Sequence, residues 1–119
     1  MGLSTDGVLF DKGKTELIRY PAGKMATSYQ IPTSVTSVSD GAFTYCCHLK
    51  TIAIPKGITK FTDWVFMYCD NLEDVYYTGT EAQWNAIEIG HANDALINAT
   101  KHYNAEIHDF SAWTVTKAA

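Results

Sequence analysis

Apolar residues return along the chain at a fixed interval. From Ile31 the sequence reads IPTSVTSVSDGAFTYCCHLKTIA, and from Ile54 it reads IPKGITKFTDWVFMYCDNLEDVYY, an offset of 23 residues. At that offset Pro32 meets Pro55, Val35 meets Ile58, Val38 meets Phe61 and Ala42 meets Val65. Phe43 then meets Phe66, Cys46 meets Cys69, Leu49 meets Leu72 and Ile52 meets Val75. The apolar positions repeat and most polar ones between them do not. Such a pattern belongs to stacked units with a fixed buried face and a free surface.

The alternation in LKTIAIP and LEDVYYT predicts one strand per unit, with Leu49, Ile52 and Ile54, then Leu72, Val75 and Tyr77, turned inward. Val35 and Val38, then Ile58 and Phe61, predict a second short strand. Phe43 and Cys46, like Phe66 and Cys69, lie three apart, which predicts a single helical turn. Asp40 and Asp63 precede that turn and are placed to cap its free N–H groups. Rungs of this kind stack about 4.8 Å apart, and a lone rung cannot enclose a core.

The flanks read differently. Residues 1–6 are polar and predicted to fray. Residues 7–21 predict a β-hairpin cap, with strands at Val8–Phe10 and Glu16–Tyr20 and a turn eased by Gly13. Thr80 and Gln83 form a capping box ahead of a short helix over 81–87, whose apolar residues are Trp84, Ile87 and Ile89. A loop over 90–94, an apolar patch at Ala95–Ile97 and a last strand over 100–103 follow. The organisation expected is therefore one domain over 1–104: a cap at 7–21, repeats at 31–53 and 54–77, and a helix-plus-strand cap at 78–104. Residues 105–119 read as a linker or the start of a following module, with Phe110 and Trp113 its apolar residues.

The unit IPxxVxxVxxxAFxxCxxLxxIxIP resembles the bacterial surface-antigen (BspA-like) leucine-rich repeat family. It is carried closely by residues 31–77 and less regularly from about residue 7 to 104. The resemblance implies a short, capped repeat solenoid of leucine-rich-repeat type, mainly β-strands with short helical turns in the α/β horseshoe manner. It also implies a secreted or cell-surface bacterial protein and attachment to a host or neighbouring-cell protein or glycan.

Composition narrows the partners. The 119 residues carry 9 basic and 13 acidic side chains, a net charge of −4, with no basic cluster. Nucleic acid and anionic membrane are poor matches, and no apolar run approaches a spanning length. The start, MGLSTDG, has no signal-peptide pattern and reads as a boundary cut from a longer protein. A monomer is expected.

Three cysteines do not make a disulfide framework. Cys46 and Cys69 share a repeat position and are expected as stacked buried thiols, though a bridge between rungs is geometrically conceivable; Cys47 is expected to face outward. Cys47–His48 is the single nucleophile beside a base, and no residue is spaced to orient the histidine. His48, His91, His102 and His108 lack metal-ligand spacing and read as solvated surface residues. No catalytic, metal or cofactor site is therefore expected. Tyr45 and Tyr68 are repeat equivalents expected to stack on each other, whereas alternation turns Tyr76 outward between Val75 and Tyr77. The residues expected to meet a ligand are the non-repeating outward ones, Lys50, Thr51, Glu73, Asp74 and Tyr76. The alternative function is a rigid spacer that carries a separate domain.

Overall fold

Each alternating segment forms a strand, and strands from successive repeats lie side by side. The computed structural model describes residues 3–5 and 7–106. Strands β1 (Leu3–Thr5), β2 (Val8–Phe10), β3 (Glu16–Arg19), β5 (Ser37–Val38), β7 (Lys60–Phe61) and β9 (Glu88–Ile89) make one sheet, in the order β1-β2-β3-β5-β7-β9. Strands β4 (Ser28–Gln30), β6 (Thr51–Ile54), β8 (Asp74–Tyr77) and β10 (Thr100–His102) make the second, in the order β10-β8-β6-β4. All pairings in the second sheet are parallel; in the first, only β1–β2 and β2–β3 are antiparallel. Parallel strands in register require a constant chain length between them, and the 23-residue repeat supplies it: Ser28 pairs with Thr51, and Thr51 with Asp74. Leu17, Val38 and Phe61 of one sheet and Ile52, Ile54, Val75 and Tyr77 of the other join a single buried cluster, so the core lies between the sheets.

The structure carries the stacking further at both ends than the two clear repeats indicate. Tyr20 stacks on Phe43 at 5.0 Å and Phe43 on Phe66 at 5.0 Å, so Tyr20 is the first member of a column spaced by 23 residues. At the other end β9 pairs with β7, and β10 pairs with β8. Ile89, expected on the helix, is in this strand, and the helix α1 (Glu81–Asn85) is correspondingly shorter. Its capping box forms as expected: Gln83 N donates to Thr80 Oγ1 and Thr80 N donates to Gln83 Oε1. The apolar patch at Ala95–Ile97 is not a bare lead-in to the last strand. It belongs to a helix, α2 (Asp94–Asn98), which buries Leu96.

The helical turns expected inside the repeats are replaced by runs of β-turns, in which Ala42 N donates to Ser39 O, Thr44 N to Gly41 O and Cys46 N to Phe43 O. A helix cannot persist there because left-handed residues interrupt it: Gly41 (φ 67°) and Tyr45 (63°) in one repeat, Trp64 (60°) and Tyr68 (63°) in the next. Asp63 does not cap its own turn; its Oδ1 accepts from His91 N in the following rung. Other expectations at the amino end are corrected too. Leu3–Thr5 is a paired strand rather than a frayed end. The left-handed residue of the β2–β3 turn is Lys14 (φ 58°), and not Gly13. Asp11 shapes that turn by accepting from Glu16 N, the Thr15 hydroxyl and Thr15 N, and these bonds, Glu16 N foremost, hold its carboxyl below the usual range. Beyond residue 106 the expectation of a linker, with Phe110 and Trp113, lies outside the described residues.

Asn93 is the one buried polar residue among those described, and it explains how the turn ladder ends. Tyr20 N donates to Ala42 O, and Phe43 N to Val65 O. Phe66 N would need the same carbonyl one rung on, and it donates to Asn93 Oδ1 instead. The Asn93 amide nitrogen donates to Thr62 O at 2.9 Å and Gly90 O at 3.1 Å, so the side chain is satisfied at both ends. Gly90 cannot carry a side chain in this junction, since a Cβ would lie 2.4 Å from Asp63 Oδ1 and 2.9 Å from Asp63 N.

Candidate functional site

The parallel register of the four-stranded sheet lines up its outward residues in two rows. Ser28, Thr51, Asp74 and Thr100 form one, and Gln30, Ala53, Tyr76 and His102 the other. Neighbours within a row are separated by the strand spacing, about 4.8 Å. The first row is half-buried to exposed and offers three hydroxyls and a carboxylate to solvent. Lys50 and Glu73 stand exposed at the strand entrances. Their backbones set the row: Glu73 N and Asp74 N both donate to Lys50 O, and Lys50 N and Thr51 N both donate to Thr27 O.

Four of the five expected ligand-contact residues, Lys50, Thr51, Glu73 and Asp74, thus meet solvent at one end of the face. Tyr76 does not fit the expectation. Alternation does turn it away from the core cluster, but it is only 9% exposed. Its ring lies 4.4 Å from that of His102 at an interplanar angle of 11°, and burial, then the neighbouring Asp74, push its phenol above the usual range. Tyr76 therefore supports the face from within and is not presented on it.

His102 was expected to be a solvated surface residue, and the structure gives it partners. Its Nε2 donates to Asp74 Oδ1 at 2.8 Å, with the two side chains 33% and 35% exposed. Sequence spacing hides this pair because the last step of the sheet, Asp74 to Thr100, is 26 residues long instead of 23. Lys101 falls in the inward row with Tyr29, Ile52 and Val75. There its Nζ donates to Ile97 O and Ala99 O and lies 5.8 Å from the centre of the Trp84 ring; burial lowers its pKa.

The cysteines offer little chemistry. Cys46 and Cys69 are buried free thiols, and Cys47 is exposed. The hydrogen bond with Cys69, then burial, push the Cys46 thiol well up, so it stays protonated and un-nucleophilic. Cys47 Sγ donates to the backbone carbonyl of Tyr68 and His48 is exposed, and among the described residues no side-chain acid or amide is bonded to either. Among the described residues no group of three or more His, Cys, Asp or Glu side chains is placed to hold a metal ion, and no helix is long and apolar enough to cross a membrane. Tyr45 and Tyr68 stack at 4.7 Å as expected while staying 56% and 47% exposed.

Parallel strands at a constant step, with leucine, cysteine and phenylalanine at fixed places in each unit, define a leucine-rich-repeat fold. The family model described as "BspA type Leucine rich repeat region (6 copies)" matches residues 22–88, more than half of the chain, and the chain belongs to that family. Its fold is similar to that of the pneumococcal vaccine antigen PcpA, at 17% identity and a TM-score of 0.56 over 92% of this chain and 38% of that one. A leucine-rich repeat protein from Eubacterium ventriosum ATCC 27560 is 25% identical over 64% of this chain and 27% of that one, with a TM-score of 0.48. A leucine rich cell surface protein from Faecalibacterium prausnitzii A2-165 is 21% identical over 73% of this chain and 42% of that one, with a TM-score of 0.44. The chain thus spans less than half the length of each. Among curated proteins none matches.

Proposed function

We propose that this domain is a non-catalytic binding module of a secreted or cell-surface bacterial protein, and that it uses the outward face of the four-stranded sheet to hold a protein or glycan. The observation that carries this reading is the row Ser28–Thr51–Asp74–Thr100, with Lys50 and Glu73 at its border. Hydroxyls and a carboxylate at a regular spacing match a ligand rich in hydroxyl or amide groups. The parallel ladder keeps that spacing rigid, so little entropy is lost on binding. Family membership and the solved proteins named above as a vaccine antigen and a cell surface protein support the location.

The rungs also fit a stretch of a longer solenoid, which favours a second reading as a spacer: the solved relatives continue well beyond the length matched here. One experiment separates the two. Purified chain is titrated against mucins, matrix proteins and an immobilised glycan array, beside a variant carrying Thr51→Arg and Asp74→Arg. A specific hit lost in the variant supports the binding face. Equal signals from both proteins, or none from either, leave the spacer.

A further inference from the structure

Two leucines at the same repeat position differ in cover. Leu49 is 1% exposed and Leu72 is 8% exposed. The next rung closes over Leu49, but over Leu72 the regular turns give way to α2. Ala95 of that helix and Ala99 just after it, with Ala92 ahead of it, line the space along with Leu72 and Met67. The result is a groove of about 650 Å³, a volume within the ordinary range of ligand sites. Leu72 and Ala95 lie on its floor among polar groups. Its rim carries Asp70, Glu73 and Asp94, all exposed, and no basic side chain lines it. The charge is one-sided in a place where the core is left partly open.

We propose that this groove docks a cationic peptide segment of a partner protein, with an apolar side chain over Leu72 and Ala95 and flanking Lys or Arg residues against Asp70, Glu73 and Asp94. Charge complementarity selects this occupant. An acidic or neutral segment would leave three carboxylates facing like charge or none, and a fully polar one would leave the leucine and alanine floor wet. The apolar contact supplies hold, and the rim supplies orientation and a faster encounter that weakens with salt. The site goes beyond the sheet-face reading and shares with it only the border residue Glu73, so a variant at Asp70 tests it separately.

The test is fluorescence anisotropy with three labelled decapeptides: one with a Leu–Leu centre between two Lys pairs, one with Glu for every Lys, and one with Ser for both Leu. The first binds the full chain, and the other two bind at least about tenfold more weakly, a difference of about 1.4 kcal/mol. Asp70→Lys, an exposed position outside the sheet face, keeps the melting temperature and loses the Lys peptide by about the same factor. Thr51→Arg, on the separate sheet face, changes neither. Three results overturn the proposal: equal affinity for the Lys and Glu peptides, no binding by any of the three, or binding untouched by the charge reversal. Self-association that the charge reversal abolishes, seen by sedimentation, overturns it as well, because a second copy is then the occupant.

Discussion

Asn93 is where one side chain does what a whole repeat does elsewhere. Its amide oxygen takes the bond from Phe66 N, and its nitrogen closes on Thr62 O and Gly90 O, all without solvent. Asn93→Ala leaves buried groups unpaired, a loss of about 1–3 kcal/mol for each donor or acceptor stranded. Urea denaturation is expected to show a drop of that order, and Asn98→Ala, exposed on α2, a change within a few tenths. A midpoint unchanged in Asn93→Ala would mean that water or a shifted backbone replaces the amide. Nothing in the sequence marks this residue, since an asparagine just ahead of a short helix has the same local pattern whether it faces solvent or a neighbouring rung.

The two repeats behave as near-copies, so differences between equivalent residues are informative. Leu49→Ala opens a cavity with cover on all sides and is expected to cost about 2–5 kcal/mol. Leu72→Ala opens one toward the groove beside α2, so its cost falls at the low end of that range, and thermal unfolding of the two variants orders them. Thr80→Ala removes one arm of the capping box and is expected to cost about 1 kcal/mol, read in the same experiment. The strands and the capping box were legible because each is written locally, in period-two alternation or in a Thr–Gln spacing of three. The turn runs were misread as helical because three-residue apolar spacing suits both, and what decides is the left-handed backbone at Tyr45, Trp64 and Tyr68. Glycine at the Gly41 position hints at that conformation, but its equivalent is a tryptophan. Of the candidate site, Thr51 and Asp74 were legible from alternation. The burial of Tyr76 and the partnership of His102 were not, because both depend on a last rung whose step differs from the repeat.

For the whole molecule, the aromatic column that holds the rungs also sets an alkaline limit. Tyr20 is 1% exposed, stacked on Phe43, and its hydroxyl has no hydrogen-bond partner among the described residues. Burial, then the neighbouring Cys46, raise its pKa from 10.0 to about 12. The folded chain thus holds the phenolic proton more tightly than the unfolded chain does. The stability this represents is complete below pH 10 and drains away between there and about 12, to a total on the order of 3 kcal/mol. Tyr77 and Tyr103 shift the same way by burial and add to the loss. Tyr20→Phe keeps the ring and removes an unpaired hydroxyl, so it is expected to be neutral or stabilising at pH 7. Its advantage over the parent should then widen as pH passes 10. Denaturant midpoints measured from pH 7 to 11.5 decide the matter. Parallel curves for the two proteins would mean that the hydroxyl of Tyr20 reaches water, and that the first ring of the column is less enclosed than its neighbours Phe43 and Phe66.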